Sequence, residues 1–162
     1  MTQPVDPTSR AGQVGQADVP CDLRMLAWPA RRTDNVQLRS LVEQMAALGE
    51  GVEIEDFDLR RDWFRSHDVV NVNWPEMAAE PANLLTAVAK SFLVVLRMLL
   101  WRLRRVPVVW TVHNLRSHEQ RHPRLEQLVR KVLFIACRGT IHLSHSGRVQ
   151  AELTYPELKR WP

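Results

Sequence analysis

The chain has 162 residues, 45% of them apolar and 25% charged, which suits one cored domain and excludes wholesale disorder. Two cysteines, Cys21 and Cys137, exclude a disulfide framework. The net charge of +4 conceals an asymmetry: residues 1–85 carry 8 Lys/Arg against 14 Asp/Glu, a balance of −6, whereas residues 86–148 carry 12 against 2, a balance of +10. A basic stretch of that kind is expected to face something acidic.

Residues 1–20 hold Pro4, Pro7 and Pro20 among polar residues, without the basic end and apolar run of a secretory signal. They predict a disordered tail on a cytoplasmic protein. Leu23 to Trp28 reads as a short strand ended by Pro29. Asp34 can cap a helix from Asn35 to Leu48, with Val36, Leu38, Leu41, Val42, Met45 and Leu48 on one face and Gly49 as its stop. Residues 52–57 alternate, as an outer strand should, and 68–73 form a third strand halted by Trp74-Pro75. A long helix is expected from Pro81 to Arg104, a buried fourth strand over 108–112, and a helix from Pro123 to Cys137. A fifth strand over 140–143 and a short helix after Ser146 complete the pattern.

Strands alternating with helices predict an α/β fold, a Rossmann-like parallel sheet of about five strands with flanking helices. The expected strand order is 3-2-1-4-5. Ligands in such sheets sit at the carboxyl ends of the strands. That rule selects the loops Trp28–Asn35, Asn73–Glu76, His113–Glu119 and Ser144–Ser146, which hold Arg31, Arg32, Asn73, Glu76, His113, Asn114, His118, Glu119 and Ser144.

On a helical wheel of residues 82–105, Asn83, Thr86, Lys90, Arg97, Trp101 and Arg104 share one narrow stripe, and most other positions are apolar. A membrane span is disfavoured, because Lys90 and Arg97 would each cost roughly 2.5–3.5 kcal/mol inside the apolar layer. Two readings stand: a crossover helix with a solvated basic edge, or an interfacial helix whose Lys90, Arg97, Trp101, Arg104 and Arg105 meet an anionic membrane surface.

His118-Glu119-Gln120-Arg121-His122 matches the H-E-x-x-H zinc peptidase signature. Its chemistry needs both histidines on one helical face. Pro123 pushes His122 out of helical geometry, so the favoured reading is a chance match at a helix entry and no metal site. His113 directly follows a buried strand, where an imidazole is placed to bond a ligand or the backbone.

The segment from Asp68 to Glu152 resembles the N-terminal, acceptor-side domain of a GT-B glycosyltransferase. The similarity is to bacterial enzymes of polysaccharide and glycolipid assembly, including mannosyltransferase-like members. It is carried by Asp68-Val-Val-Asn-Val-Asn-Trp-Pro-Glu76, by Val109-Trp-Thr-Val-His-Asn-Leu-Arg-Ser-His-Glu119 and by Gly139-Thr-Ile-His-Leu-Ser-His-Ser146. The middle block is the most specific, with its T-x-H-[ND] tetrad and distal His-Glu. The resemblance implies that His113 contacts the transferring sugar or its leaving group. By the same resemblance Asn114, His118 and Glu119 shape the acceptor side. Glu119 and Glu76 are the general-base candidates if the enzyme inverts.

The implied partners are a glycolipid or polysaccharide acceptor and an anionic membrane surface, with no nucleic acid. No cofactor or metal is implied. The nucleotide-sugar donor is expected on a missing C-terminal domain, either continuous with this one or on a separate donor-binding chain. Two departures stand out. The turn Pro29-Ala-Arg-Arg-Thr-Asp34 lacks the glycine pair common in relatives, leaving Arg31 and Arg32 to meet phosphate or solvent. The chain also ends at Pro162, so residues 21–155 are expected to form the domain and 156–162 a truncated linker. The expectation is an acceptor-binding half that is inactive alone. A non-catalytic membrane-surface module and a zinc peptidase are the alternatives.

Overall fold

A computed structural model describes residues 23–28, 40, 43–44, 47, 52–59, 63, 65–115 and 121–161. Five short runs, four of them rich in apolar or β-branched residues and one alternating with acids, form its strands: β1 (Leu23–Trp28), β2 (Val52–Asp56), β3 (Val69–Val72), β4 (Val108–Val112) and β5 (Cys137–His142). All neighbouring pairs are parallel. The connections contain a 3-10 helix at Pro75–Ala78 and the α-helices α1 (Leu84–Leu103), α2 (Pro123–Ala136) and α3 (His145–Thr154), followed by a second 3-10 helix at Pro156–Arg160. This is the Rossmann-like α/β arrangement that the alternation predicts.

The strand order is β2-β1-β3-β4-β5, which corrects the expected 3-2-1-4-5. Residue chemistry explains the difference. β2 is Val-Glu-Ile-Glu-Asp, with Glu53 and Asp56 exposed, and an alternating acidic strand belongs at an edge. β3 is buried at Val70, Asn71 and Val72, so it needs a neighbour on each side. It finds them in β1, where Met25 aligns with Val69, and in β4, where Val70 aligns with Val108. The connection after β2 must therefore cross β1.

The predicted helix 35–48 falls mostly outside the described residues, although Ser40, Glu43, Gln44 and Ala47 are helical. The expected tail over 1–20 also lies outside them. α1 begins at Leu84 rather than Pro81, because the Asn83 side chain accepts the Thr86 N–H and caps the helix there. β5 begins three residues earlier than expected, taking Cys137 from the preceding helix. Residues 156–162, read from sequence as an interrupted loop, instead include a 3-10 helix whose Leu158 is buried in the core beside Trp161.

The crossovers through α1 and α2 both step in the same direction across the sheet. Right-handed connections then place both helices on one face, where they pack against each other. Leu26, Val70, Val72, Val94, Met98, Val108, Trp110, Val129 and Leu133 form the centre of the core. Aromatic contacts extend it, with Trp28–Phe57 ring centroids 5.4 Å apart and Phe57–Trp101 5.6 Å apart.

Candidate active site

β3 and β4 end side by side, and their last residues bring the most polar chemistry of the sheet together. Inside the sheet, the Thr111 hydroxyl donates to Asn71 Oδ1 at 2.9 Å, satisfying two buried groups at once. Beyond the strands, Asn73 is buried, its N–H donating to the Trp28 carbonyl at 2.8 Å. Its Oδ1 lies 3.2 Å from His113 Nε2. Trp74 stacks on the other aspect of the imidazole, with ring centroids 4.8 Å apart. His113 is thus held in plane and in orientation by two residues from the neighbouring strand end. Burial lowers its pKa from the ordinary value, which favours the neutral ring at neutral pH. With Asn73 Oδ1 as acceptor, Nε2 carries the proton and Nδ1 the lone pair.

Glu76 lies in the 3-10 helix two residues beyond Trp74 and is buried. Burial is the largest cause raising its carboxyl to about 7; Arg130 opposes the rise, while Glu126 and Glu80 add to it. Arg130 pairs with Glu126 and donates to the Tyr155 hydroxyl, which itself donates to the Leu115 carbonyl at 2.5 Å. Sequence reading missed this network, and it missed Trp74 as the partner of His113. The available signal was the sequence Asn73-Trp74-Pro75, a bulky ring held directly at a strand end.

The register aligns Val112 with His142, so the turns carrying His113 and Ser144 are adjacent. Ser144 has a structural use: its hydroxyl oxygen accepts the Gly147 N–H at 3.0 Å and caps α3. Asn114 is half-buried beside His113. Arg31, Arg32, His118 and Glu119 lie outside the described residues. His122 is not helical, with φ −132° and ψ 72°, and its Nε2 lies 3.0 Å from the Pro81 carbonyl. The helix therefore starts after the H-E-x-x-H string ends. Among the described residues, no three His, Cys, Asp or Glu side chains cluster as a metal site would require.

The stripe expected to face lipid is turned the other way. Lys90 Nζ donates to the Met77 carbonyl at 2.7 Å, and burial lowers its pKa. Arg97 is only 2% exposed, its guanidinium 5.4 Å from the ring centroids of both Trp63 and Trp101. Trp101 itself is buried, and Arg104 donates to the Trp63 carbonyl at 3.0 Å. Lys90 and Arg97 have here met a carbonyl and indole faces within the domain rather than solvent. Of the five residues, Arg104 and Arg105 are exposed. A separate cleft of about 400 Å³, lined by Arg24, Glu53, Glu55, Arg65 and Ser66, lies toward the amino ends of the strands and away from His113.

Fold and site together define a Rossmann-like α/β domain with an oriented, neutral histidine at the carboxyl edge of its sheet. Two curated proteins match the chain, both described as GDP-mannose:glycolipid 4-beta-D-mannosyltransferase, from Xanthomonas campestris pv. campestris, one of them from strain ATCC 33913. Each is 31% identical over 90 residues, covering 56% of this chain and 26% of the relative. The chain thus spans about a quarter of the length of these relatives, and the relationship is glycosyltransferase-like. No protein-family profile and no solved structure matches it.

Proposed function

We propose that this chain supplies the acceptor-binding side of a glycosyltransferase that moves a sugar from a nucleotide-sugar donor to a lipid-linked or polysaccharide acceptor. The observation that carries the reading is the 31% identity to a glycolipid mannosyltransferase over 90 residues. GDP-mannose and a glycolipid are the donor and acceptor classes to try first.

In this reading the acceptor hydroxyl approaches the strand-end cluster of Asn73, Trp74 and His113. It attacks the anomeric carbon, the bond from that carbon to the diphosphate breaks, and the hydroxyl proton passes to a base. A neutral His113 can orient the hydroxyl or accept its proton through Nδ1. The indole of Trp74 offers an apolar surface for a sugar ring. The donor diphosphate is taken by residues outside these 162, on a second domain or a separate chain.

Isothermal titration of the purified chain with a short-chain lipid-linked oligosaccharide and, separately, with GDP-mannose tests the proposal. The expected result is saturable acceptor binding, weakened at least tenfold in His113→Ala, with no GDP-mannose binding and no turnover by the chain alone. Acceptor binding unchanged in His113→Ala overturns the site. GDP-mannose turnover by the chain alone overturns its dependence on a donor half.

A further inference from the structure

A crossover helix ordinarily turns its apolar stripe to the sheet and its polar stripe to water. α1 does not. Its inward residues are Ala87, Ser91, Val94, Arg97, Met98 and Trp101. The opposite side carries Leu85, Val88, Phe92, Leu96, Leu99 and Leu103, all exposed, with Leu85 at 80%, Phe92 at 63% and Leu103 at 78%. At about 100° per residue these six positions fall within one arc centred opposite the core. They make a continuous apolar ridge along a helix roughly 30 Å long. A soluble monomer rarely leaves such a ridge bare.

The surroundings of the ridge say what covers it. No acidic residue occurs from Leu84 to Leu103, and Arg102, Arg104 and Arg105 are exposed at the helix end. α2, packed beside α1, turns Arg124, Leu128, Lys131 and Ile135 outward at helical spacing. Its Glu126 is buried against Arg130. The outer face of this helix pair therefore combines an apolar ridge with cations and no exposed carboxylate. We infer that α1 and α2 dock on an anionic lipid bilayer, with the Leu85–Leu103 ridge entering the acyl boundary and the flanking arginines at headgroup level.

α1 is long and apolar enough to span a bilayer by composition. Its inner face is committed to the sheet, so it lies in the interface instead. This docking stands on surface chemistry and does not depend on the transfer reaction proposed above.

Flotation of the full chain with vesicles tests the inference. Phosphatidylcholine vesicles containing phosphatidylglycerol are expected to carry the protein, and phosphatidylcholine alone to carry much less. Phe92→Ser and Leu103→Ser should each lower partitioning several-fold. The double variant Arg102→Gln, Arg105→Asn should lower it by about fivefold per charge, and only on the anionic vesicles. Leu153→Ser, which removes a leucine 74% exposed on α3, should leave binding unchanged. Circular dichroism confirms that each variant is folded, and the arginine pair keeps the test decisive if a ridge variant is not. Equal loss in Leu153→Ser overturns the inference, as does failure of the unaltered chain to float. A self-association that Phe92→Ser abolishes, without lipid binding, assigns the ridge to a second copy and also overturns it.

Discussion

Replacing Glu76 by Gln tests the buried charge network directly. The Glu76 carboxyl has an ordinary value of 4.5 and is raised to about 7 in the folded chain, chiefly by burial. Between those values the folded protein holds a proton that the unfolded chain has released. Stability from this group is therefore fully present below pH 4.5 and is lost as pH rises through 7. At about 1.4 kcal/mol per pH unit, the whole span amounts to about 3 kcal/mol. Roughly 2 kcal/mol of it falls between pH 5.5 and 8. Gln mimics the protonated acid in shape and hydrogen bonding but does not titrate. Urea denaturation of both proteins at intervals from pH 5.5 to 8.5 should show the unaltered chain losing ground to Glu76→Gln as pH rises, by about that amount. Other titrating groups act in both proteins and cancel in the difference. A stability difference independent of pH would show that Glu76 is solvated and ionised throughout.

The C-terminal turn should be structural: Leu158→Ala empties a buried site and is expected to cost about 2–5 kcal/mol by urea denaturation, whereas a dispensable tail predicts no change. Tyr155→Phe removes the donor to the Leu115 carbonyl and the acceptor for Arg130, for a loss of about 1–3 kcal/mol. Amide exchange around Leu115 should accelerate with it, and unchanged protection there would place the hydroxyl elsewhere. Cys137 is buried, and burial pushes its thiol up to about 11. In a Cys21→Ser background it should resist iodoacetamide at pH 8 until denaturant is added, and prompt labelling would refute its burial.

The sheet was legible because each strand is a short apolar or alternating run bounded by a breaker, such as Trp28-Pro29 or Trp74-Pro75. Strand order was legible as well, although the 3-2-1-4-5 reading missed it. The alternation in Val-Glu-Ile-Glu-Asp already marked an edge strand, and that order would have buried it between two neighbours. His113 could be placed at a strand end from sequence alone. Its partners could not, because Asn73, 40 residues earlier, and the adjoining Trp74 meet it only through the pairing of β3 with β4. Loop position points to Arg31 and Arg32, and loop position together with the family resemblance points to His118 and Glu119; all four lie outside the described residues.

α1 shows why a wheel alone cannot orient a helix. The projection correctly separates a polar stripe from an apolar one, and solvent is normally assigned to the first. Here Met77 in the same crossover supplies a carbonyl acceptor to Lys90, and the indoles of Trp63, before β3, and Trp101, on α1 itself, flank Arg97, so these two cations find partners inward. With the cations engaged there, the leucine ridge is left outside. The same inversion links the two proposals. A crossover helix runs antiparallel to its strands, so the α1 N-terminus lies toward their carboxyl ends, the side on which His113 is found. A bilayer held along Leu85 to Leu103 would then begin near the site that a lipid-linked acceptor must reach. Retention of soluble-acceptor binding in Phe92→Ser, with loss of vesicle-borne acceptor binding, is the result this geometry demands. Equal loss of both would mean that the ridge supports the site structurally and that the bilayer plays no part in presenting the acceptor.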